Sequence, residues 1–372
     1  MLSQPPVWLI AVAFVCAIGP LVFIHELGHY LVGKLFGVGA ETFSIGFGQE
    51  ITGWTDRSGT RWKVGWVPLG GYVRFVGDEH HAGEGEGEAG AQGDSFAGKP
   101  VWQRFLIVLA GPMANFVLAI AIFACFFAAL GVPRTPNVVV AIEPKSAAAE
   151  AGIRPGDRIE AIAGLSTPTF EDIQRVVALR PGEQVTVKLD REGRTQLLDV
   201  RLSVYEETDR FGQKFEIGRL GFYASGRQLE PVSAAELLPE AAGYTWTLTA
   251  TTMQGLWQII TGRRSAEELG GPLKMAQVAG QQASLGPFQF VQLLALFSIN
   301  LGFINLLPVP VLDGGHLLFY AVEAVRRRPV SVQAQEWAFR GGLALLLALF
   351  LFTTVNDLGS FGVWESLGRL IG

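Results

Sequence analysis

His25, Glu26 and His29 stand together in one apolar stretch, Phe23-Ile24-His25-Glu26-Leu27-Gly28-His29-Tyr30. Histidines at i and i+4 share one face of an α-helix, so both imidazoles reach a single cation. The glutamate between them is placed to take a proton from water at that cation. Zinc suits this ligand set. The same residues could be satisfied polar groups of a helix bundle, but an ionisable side chain at the bilayer centre costs about 2.5 to 3.5 kcal/mol on insertion scales. A catalytic zinc keeps three protein ligands and one open position, so the chain should supply a further ligand at the same depth. The run Asn305-Leu306-Leu307-Pro308-Val309-Pro310-Val311-Leu312-Asp313-Gly314-Gly315-His316 does so. Its two prolines and its Gly pair are expected to break the helix, and irregular backbone at membrane depth is tolerated only inside protein or beside a water-filled cavity. Asp313 is the expected third ligand, with His316 the rival. Asn305 is placed to hydrogen-bond a substrate backbone or a developing oxyanion, and satisfying the broken helix is an equal alternative. In this chemistry zinc lowers the pKa of its water towards about 7 and polarises a carbonyl, while Glu26 accepts the proton and passes it to a leaving amine.

The elements that hold these residues are membrane spans. Of 372 residues 49% are hydrophobic and only 17% charged, against about a quarter charged in soluble domains. Uncharged runs at 1–24, 105–132 and 285–312 each reach the ~20 residues that a spanning helix needs. A shorter run at 341–356 is read as a fourth span, lengthened by the stretch around Trp337. The first run has no basic n-region and no small-x-small site, so it is read as a span and not as a cleaved leader. Cys16 and Cys125 fall inside spans, where they are expected to be small buried hydrophobes rather than a disulfide or metal ligands. With a net charge of -5 and no basic field, nothing points to nucleic acid.

Basic residues set the expected orientation. None precedes Lys34, whereas Arg57, Arg61, Lys63, Arg74, Lys99 and Arg104 lie between the first two spans, and Arg326, Arg327 and Arg328 follow the third. The positive-inside rule then puts 37–104 and the Arg-rich connector in the cytoplasm, and both termini and 133–284 outside it, in a multi-pass protein of the bacterial inner membrane.

The chain divides accordingly. Residues 1–36 form the first span with its H-E-x-x-H motif, and 37–77 alternate aromatic and β-branched residues between Gly-rich turns, as short strands do. Such a β-region lies against the membrane or is an ordinary sheet on the cytoplasmic face; both stay open. Residues 78–100, rich in Gly and Glu, are expected to be a flexible loop, with His80 and His81 given no role. The second span covers 101–132. Within 133–205 strands are expected at 138–142, 158–162, 184–190 and 196–204, with helices at 147–151 and 170–179. The segment Ser146-Ala147-Ala148-Ala149-Glu150-Ala151-Gly152-Ile153-Arg154-Pro155-Gly156-Asp157 resembles a bacterial PDZ domain. Such domains capture an extended peptide at a sheet edge; use as a packing module is the alternative. Residues 206–284 are expected to be an extracytoplasmic helical region broken at Gly270-Gly271-Pro272, with Trp246 and Trp257 anchoring at the interface or packing on the small domain. Residues 285–316 form the third span with the Asp ligand, and 317–372 the connector, fourth span and tail.

His25-Glu26-Leu27-Gly28-His29, Gly111-Pro112-Met113-Ala114-Asn115-Phe116 and the 305–315 run are similar to the core motifs of the site-2 protease family. Phe43-Ser44-Ile45-Gly46-Phe47-Gly48 and Pro68-Leu69-Gly70-Gly71-Tyr72-Val73 resemble its bacterial regulator-of-sigma-E branch. The resemblance implies a multi-span α-helical zinc enzyme with four transmembrane helices, a cytoplasmic membrane-associated β-region and an inserted α+β PDZ domain. Its expected substrates are single-span membrane proteins such as anti-sigma factors or remnant signal peptides. The best-known members of that branch carry two PDZ domains, and this chain has room for one. A metal transporter and a catalytically inactive PDZ scaffold are the alternatives; a transporter leaves Glu26 in the H-E-x-x-H frame unexplained.

Overall fold

The computed structural model describes residues 5–77, 95–208, 214–226, 228–262, 266 and 269–360, so most of the expected 78–100 loop, with His80 and His81, lies outside the described residues. Two compact units emerge: 1–124 with 241–372, and 125–240.

The first unit begins with α1 (Val7–Leu35), whose buried face repeats every fourth residue at Ala13, Ala17, Leu21, His25 and His29. This spacing is what one helix face requires, and a helix of 29 residues extends about 44 Å, more than a bilayer core. Next come β1 (Ala40–Thr55) and β2 (Arg61–Phe75), two long strands where short ones were expected. Gly46, Gly48 and Gly70 take φ between 85° and 87°, which lets both strands bend. As a result residues 42–45 pair twice. Ser44 stands opposite Tyr72 on one side and Lys63 on the other, and Ile45 opposite Gly71 and Val64. Phe43 is fully buried, stacks on Trp62 at 4.3 Å and meets Tyr30 and Phe23 of α1 edge-on. The connecting turn is tied to α1 through Asp56, which accepts hydrogen bonds from Trp62 Nε1 (2.9 Å), Tyr30 Oη (3.3 Å) and the Ser58 and Thr60 amides. Those donors, Trp62 and Ser58 foremost, hold the Asp56 carboxyl well below the usual range. The far end of this sheet exposes Phe47, Ile51 and Trp66, an apolar tip suited to lipid. α2 (Val101–Leu130) follows, with Gly111 and Pro112 near its middle.

The second unit is an α+β PDZ domain: β3 (Val132–Arg134), β4 (Val139–Ile142), α3 (Ala147–Glu150), β5 (Arg158–Ile162), β6 (Leu165–Ser166), α4 (Phe170–Ala178), β7 (Gln184–Arg191), β8 (Arg194–Arg201), β9 (Ser203–Thr208), β10 (Lys214–Arg219), β11 (Phe222–Ala224) and β12 (Gln228–Glu230). A four-stranded antiparallel sheet in the order β6-β5-β7-β8 buries Ile159, Val185, Val187 and Leu189 by strict alternation. Thr169 and Asp172 form a reciprocal capping box on α4. Buried Asn137 donates to the carbonyls of Ile159 (2.6 Å) and Thr167 (3.0 Å), and Arg191 pairs with buried Asp157 at 2.7 Å. Strands β9 to β12 stand where the expected helical region was to begin, and the domain therefore runs past 205. The short strands β11 and β12 pair with β4 and β3, far earlier in the chain, so no local periodicity announces them.

The first unit resumes with α5 (Leu237–Ile260), α6 (Pro272–Leu285), α7 (Pro287–Asn305), α8 (Asp313–Arg326) and α9 (Val332–Ser360). Trp246 and Trp257 are exposed on α5. α6 packs on α1: Ala279 joins Ala13, Ala17, Leu21, Leu293 and Phe297 in one core, and a Cβ on Gly280 would lie 3.0 Å from Ile10 Cα. The α6 N-terminus is capped from α9, where Asp357 accepts from the amides of Gly271 (3.0 Å) and Lys274 (2.9 Å). Among the described residues four helices are long and apolar enough to cross a membrane: Val7–Leu35, Val101–Leu130, Pro287–Asn305 and Val332–Gly359. The expected third span of 285–316 is two helices separated by a break at 306–312. Pro308 and Pro310 lie in that break, and Val311 adopts φ 92°. Gly314 and Gly315 do not break the helix as expected. They lie in the first turn of α8, where a Cβ would run into the carbonyls of Leu307 and Val309, so they let the break fold back on it. Cys16 and Cys125 are exposed on their helices, not buried as expected, because each points away from the helix faces that pack.

Candidate metal centre

His25 and His29 are buried on the face of α1 that the i, i+4 spacing demands. Asp313 reaches them because the break after α7 ends one residue earlier and makes it the first residue of α8. Its Oδ2 lies 3.0 Å from His25 Nε2 and 3.4 Å from His29 Nε2, and the two Nε2 atoms are 3.3 Å apart. A tetrahedron with bonds of about 2.0 to 2.1 Å has edges of roughly 3.3 Å, so this triangle has the dimensions of three zinc ligands. Asp313 Oδ2 is moreover buried without a hydrogen bond of its own, although both imidazoles stand beside it. Three lone-pair donors directed at one point, with a fourth position open, fit a catalytic zinc.

The far sides of both imidazoles are held by α2. His29 Nδ1 lies 2.9 Å from the main-chain oxygen of Ile107, which can only accept, so the ring donates from Nδ1 and keeps its Nε2 lone pair free. His25 Nδ1 lies 3.0 Å from the side-chain amide of Asn115. Asn115 is fully buried, and its main-chain oxygen accepts from Ser298 Oγ of α7 at 2.7 Å. Such close approach needs small residues: a Cβ on Gly111 would strike the His29 ring, and one on Gly28 would strike the Ala110 carbonyl and lie 2.8 Å from Ala114 Cβ. The residues of this outer layer were missed as contacts by sequence reasoning. Their one signal was the Gly111-Pro112-Met113-Ala114-Asn115-Phe116 motif, which carries a resemblance but no geometry.

These groups border a cavity of about 360 Å³ whose lining includes His25, Glu26, His29, Asn305, Asp313 and His316. Glu26 sits at its wall next to the histidines, and Asn305 reaches it from the last turn of α7. His316 borders the same cavity but stands outside the three-ligand cluster, so Asp313 and not its rival completes the triangle. Gly71 and Tyr72 of β2 line the opposite side. The strand passes so close that a Cβ on Gly71 would lie 3.2 Å from Glu26 Cγ and 2.7 Å from Val22 Cγ1.

Comparison with known proteins shows the family. The model of peptidase family M50 matches residues 13–349. "Putative zinc metalloprotease Atu1380" of Agrobacterium fabrum is 44% identical over 360 residues, covering 94% of this chain and 95% of its own. Metalloprotease MmpA of Caulobacter vibrioides is 37% identical over 393 residues, covering 98% of each chain. Among solved structures, the PDZ domain of an SdrC-like protein from Listeria monocytogenes aligns with 26% of this chain and 93% of its own, at 17% identity and a TM-score of 0.20. A family match spanning nearly the whole chain, within which His25, His29 and Asp313 form a cluster able to hold a metal ion, makes this chain a metalloprotease of peptidase family M50.

Proposed function

We propose that the chain is a zinc endopeptidase of the bacterial inner membrane that cuts single-span membrane proteins within or near their transmembrane segments, as in regulated intramembrane proteolysis of anti-sigma factors or remnant signal peptides. The observation that carries this reading is a His25, His29, Asp313 triangle set in a cavity among helices that expose apolar residues. When bound by those three residues, zinc supplies Lewis acidity, polarising a carbonyl oxygen and acidifying water. Glu26, buried at the cavity wall, takes the proton from water and returns it to the leaving amine. Asn305 hydrogen-bonds the substrate backbone or the developing oxyanion.

A helical substrate hides its scissile bonds, so it must be held extended. Residues 71–74 of β2 offer the means. They pair with 42–45 on one side and border the cavity at Gly71, Tyr72 and Val73, and a substrate strand added along them would pass over Glu26. In the PDZ domain β11 pairs with β4 alone among the described strands, and its remaining edge suits an extended peptide or substrate segment. By the distribution of Lys and Arg, the N-terminus and the PDZ domain face outward and the β-region faces the cytoplasm.

The test is cleavage of a model single-span substrate in liposomes by the parent and by Glu26→Gln, with and without a zinc chelator. Cleavage by the parent alone, abolished by the chelator, supports the protease. A parent that carries zinc yet cuts none of a panel of single-span substrates would favour a scaffold or a transporter.

A further inference from the structure

We propose that Asn115 is a positioning residue of the metal centre: its side-chain oxygen accepts the Nδ1 proton of His25 and fixes the ring tautomer whose Nε2 lone pair faces the metal. The inference rests on the reading of His25, His29 and Asp313 as zinc ligands. Asn115 comes from α2, is fully buried and is absent from the cavity lining, so it reaches the site only through His25. Its amide lies 3.0 Å from His25 Nδ1 with nitrogen foremost, and its Oδ1 is buried without a hydrogen bond. That orientation would require a lone pair on Nδ1. A neutral imidazole would then carry its proton on Nε2, the atom 3.0 Å from Asp313 Oδ2, and would have nothing to give a cation.

The orientation of a carboxamide is decided by its hydrogen-bond partners. Turned over, Asn115 places Oδ1 against Nδ1–H and frees Nε2. The neighbouring histidine already shows this arrangement, because the Ile107 oxygen 2.9 Å from His29 Nδ1 can act only as an acceptor. Both imidazoles are thus oriented from one helix, His29 by the main-chain oxygen of Ile107 and His25 by a side-chain oxygen eight residues further along, at Asn115. The main-chain bond from Ser298 holds Asn115 in turn. The recognised chemistry is an imidazole N–H, so an acceptor is needed at this position and a donor is not.

The experiment measures zinc affinity of the full chain in detergent by competition with a chelating dye, for the parent, Asn115→Asp, Asn115→Leu and His25→Ala, alongside the thermal midpoint of each zinc-free protein. Asn115→Leu, which keeps the size but has no acceptor, is expected to weaken zinc by about 10- to 100-fold. Asn115→Asp, an acceptor of the same shape, is expected to hold zinc within about threefold of the parent. In protein labelled with ¹⁵N-histidine, the parent and Asn115→Asp should show a protonated Nδ1 on His25. Parental affinity in Asn115→Leu overturns the inference, as does an equal loss in both variants. If Asn115→Leu fails to fold, Asn115→Asp decides alone: retained zinc supports an acceptor role and lost zinc overturns it. If the parent binds no zinc, or His25→Ala binds it as tightly, the metal-centre reading falls first and this inference with it.

Discussion

The PDZ domain and the metal centre both bury polar side chains, and they treat them differently. In the PDZ domain Asn137 spends its amide hydrogens on two carbonyls, and Asp157 is met by Arg191 and by the Arg154 amide at 2.7 Å. Among the described residues of the membrane unit, Asp313 Oδ2 is buried without a hydrogen bond, and it belongs to the centre. An unpaired buried acceptor costs about 1 to 3 kcal/mol. One region therefore uses burial of polar groups to specify a fold, and the other leaves a carboxylate oxygen unsatisfied where a ligand is to arrive.

The contrast can be broken at either end. Glu26→Gln should lower cleavage by about 10²-fold to 10⁴-fold while leaving zinc content and thermal midpoint near the parent's, because Glu26 moves protons and holds no metal; a loss of zinc in this variant would contradict that division. Arg191→Leu should destabilise the PDZ domain by roughly 2 kcal/mol, below the ~3 to 5 of a fully enclosed pair because Arg191 keeps some contact with water, read as faster hydrogen exchange in β5 and β7 of the full chain. Zinc affinity should not change.

Acid should act on the same pair. Burial pushes the Asp157 carboxyl up, but hydrogen bonds from Arg191 and the Arg154 amide outweigh it and hold the folded pKa below the ordinary value. A carboxyl depressed in the folded state stabilises above its unfolded pKa of about 3.9 and loses that contribution as pH falls through the folded value. The PDZ transition should therefore be steady above about pH 5 and fall on further acidification, and the fall should be shallower in Arg191→Leu. Asn137→Ala should cost about 1 to 2 kcal/mol in the same exchange measurement by leaving the Thr167 carbonyl without its donor. The smallest effect is the most discriminating. Asp313→Asn should abolish zinc binding yet destabilise the zinc-free protein by no more than about 1 kcal/mol, since all it weakens there is the contact of Oδ2 with His25 Nε2 (3.0 Å) and His29 Nε2 (3.4 Å); a larger drop would show that Asp313 is structural as well.

Much of the site was legible because its ligands obey local rules. The i, i+4 histidines are fixed by helix geometry, and Pro308 and Pro310 marked the interruption that delivers Asp313. The four spans followed from uncharged length, and β5, α4 and β7 from local hydrophobic periodicity. What stayed hidden depends on partners distant in sequence. The β11 and β12 strands are recognisable only by pairing with 139–142 and 132–134, and the double pairing of 42–45 needs a bend set by glycines whose φ the sequence does not state. The role of Gly314 and Gly315 was misjudged because the same residue that ends helices also admits a neighbouring carbonyl. Asn115 entered the sequence reading only within the Gly111 to Phe116 motif; its meaning comes from a helix crossing that brings it to His25.

The twice-paired segment 42–45 acts on the cavity as a ratchet pawl acts on a wheel. Residues 71–74 cannot slip along it by one position without turning every side chain to the other face, and the Arg61 to Val64 ladder on the far side holds 42–45 against following the slip. The strand at the cavity wall is thereby locked in phase with Glu26, so that Gly71, the residue with no side chain to clash, is the one that passes it.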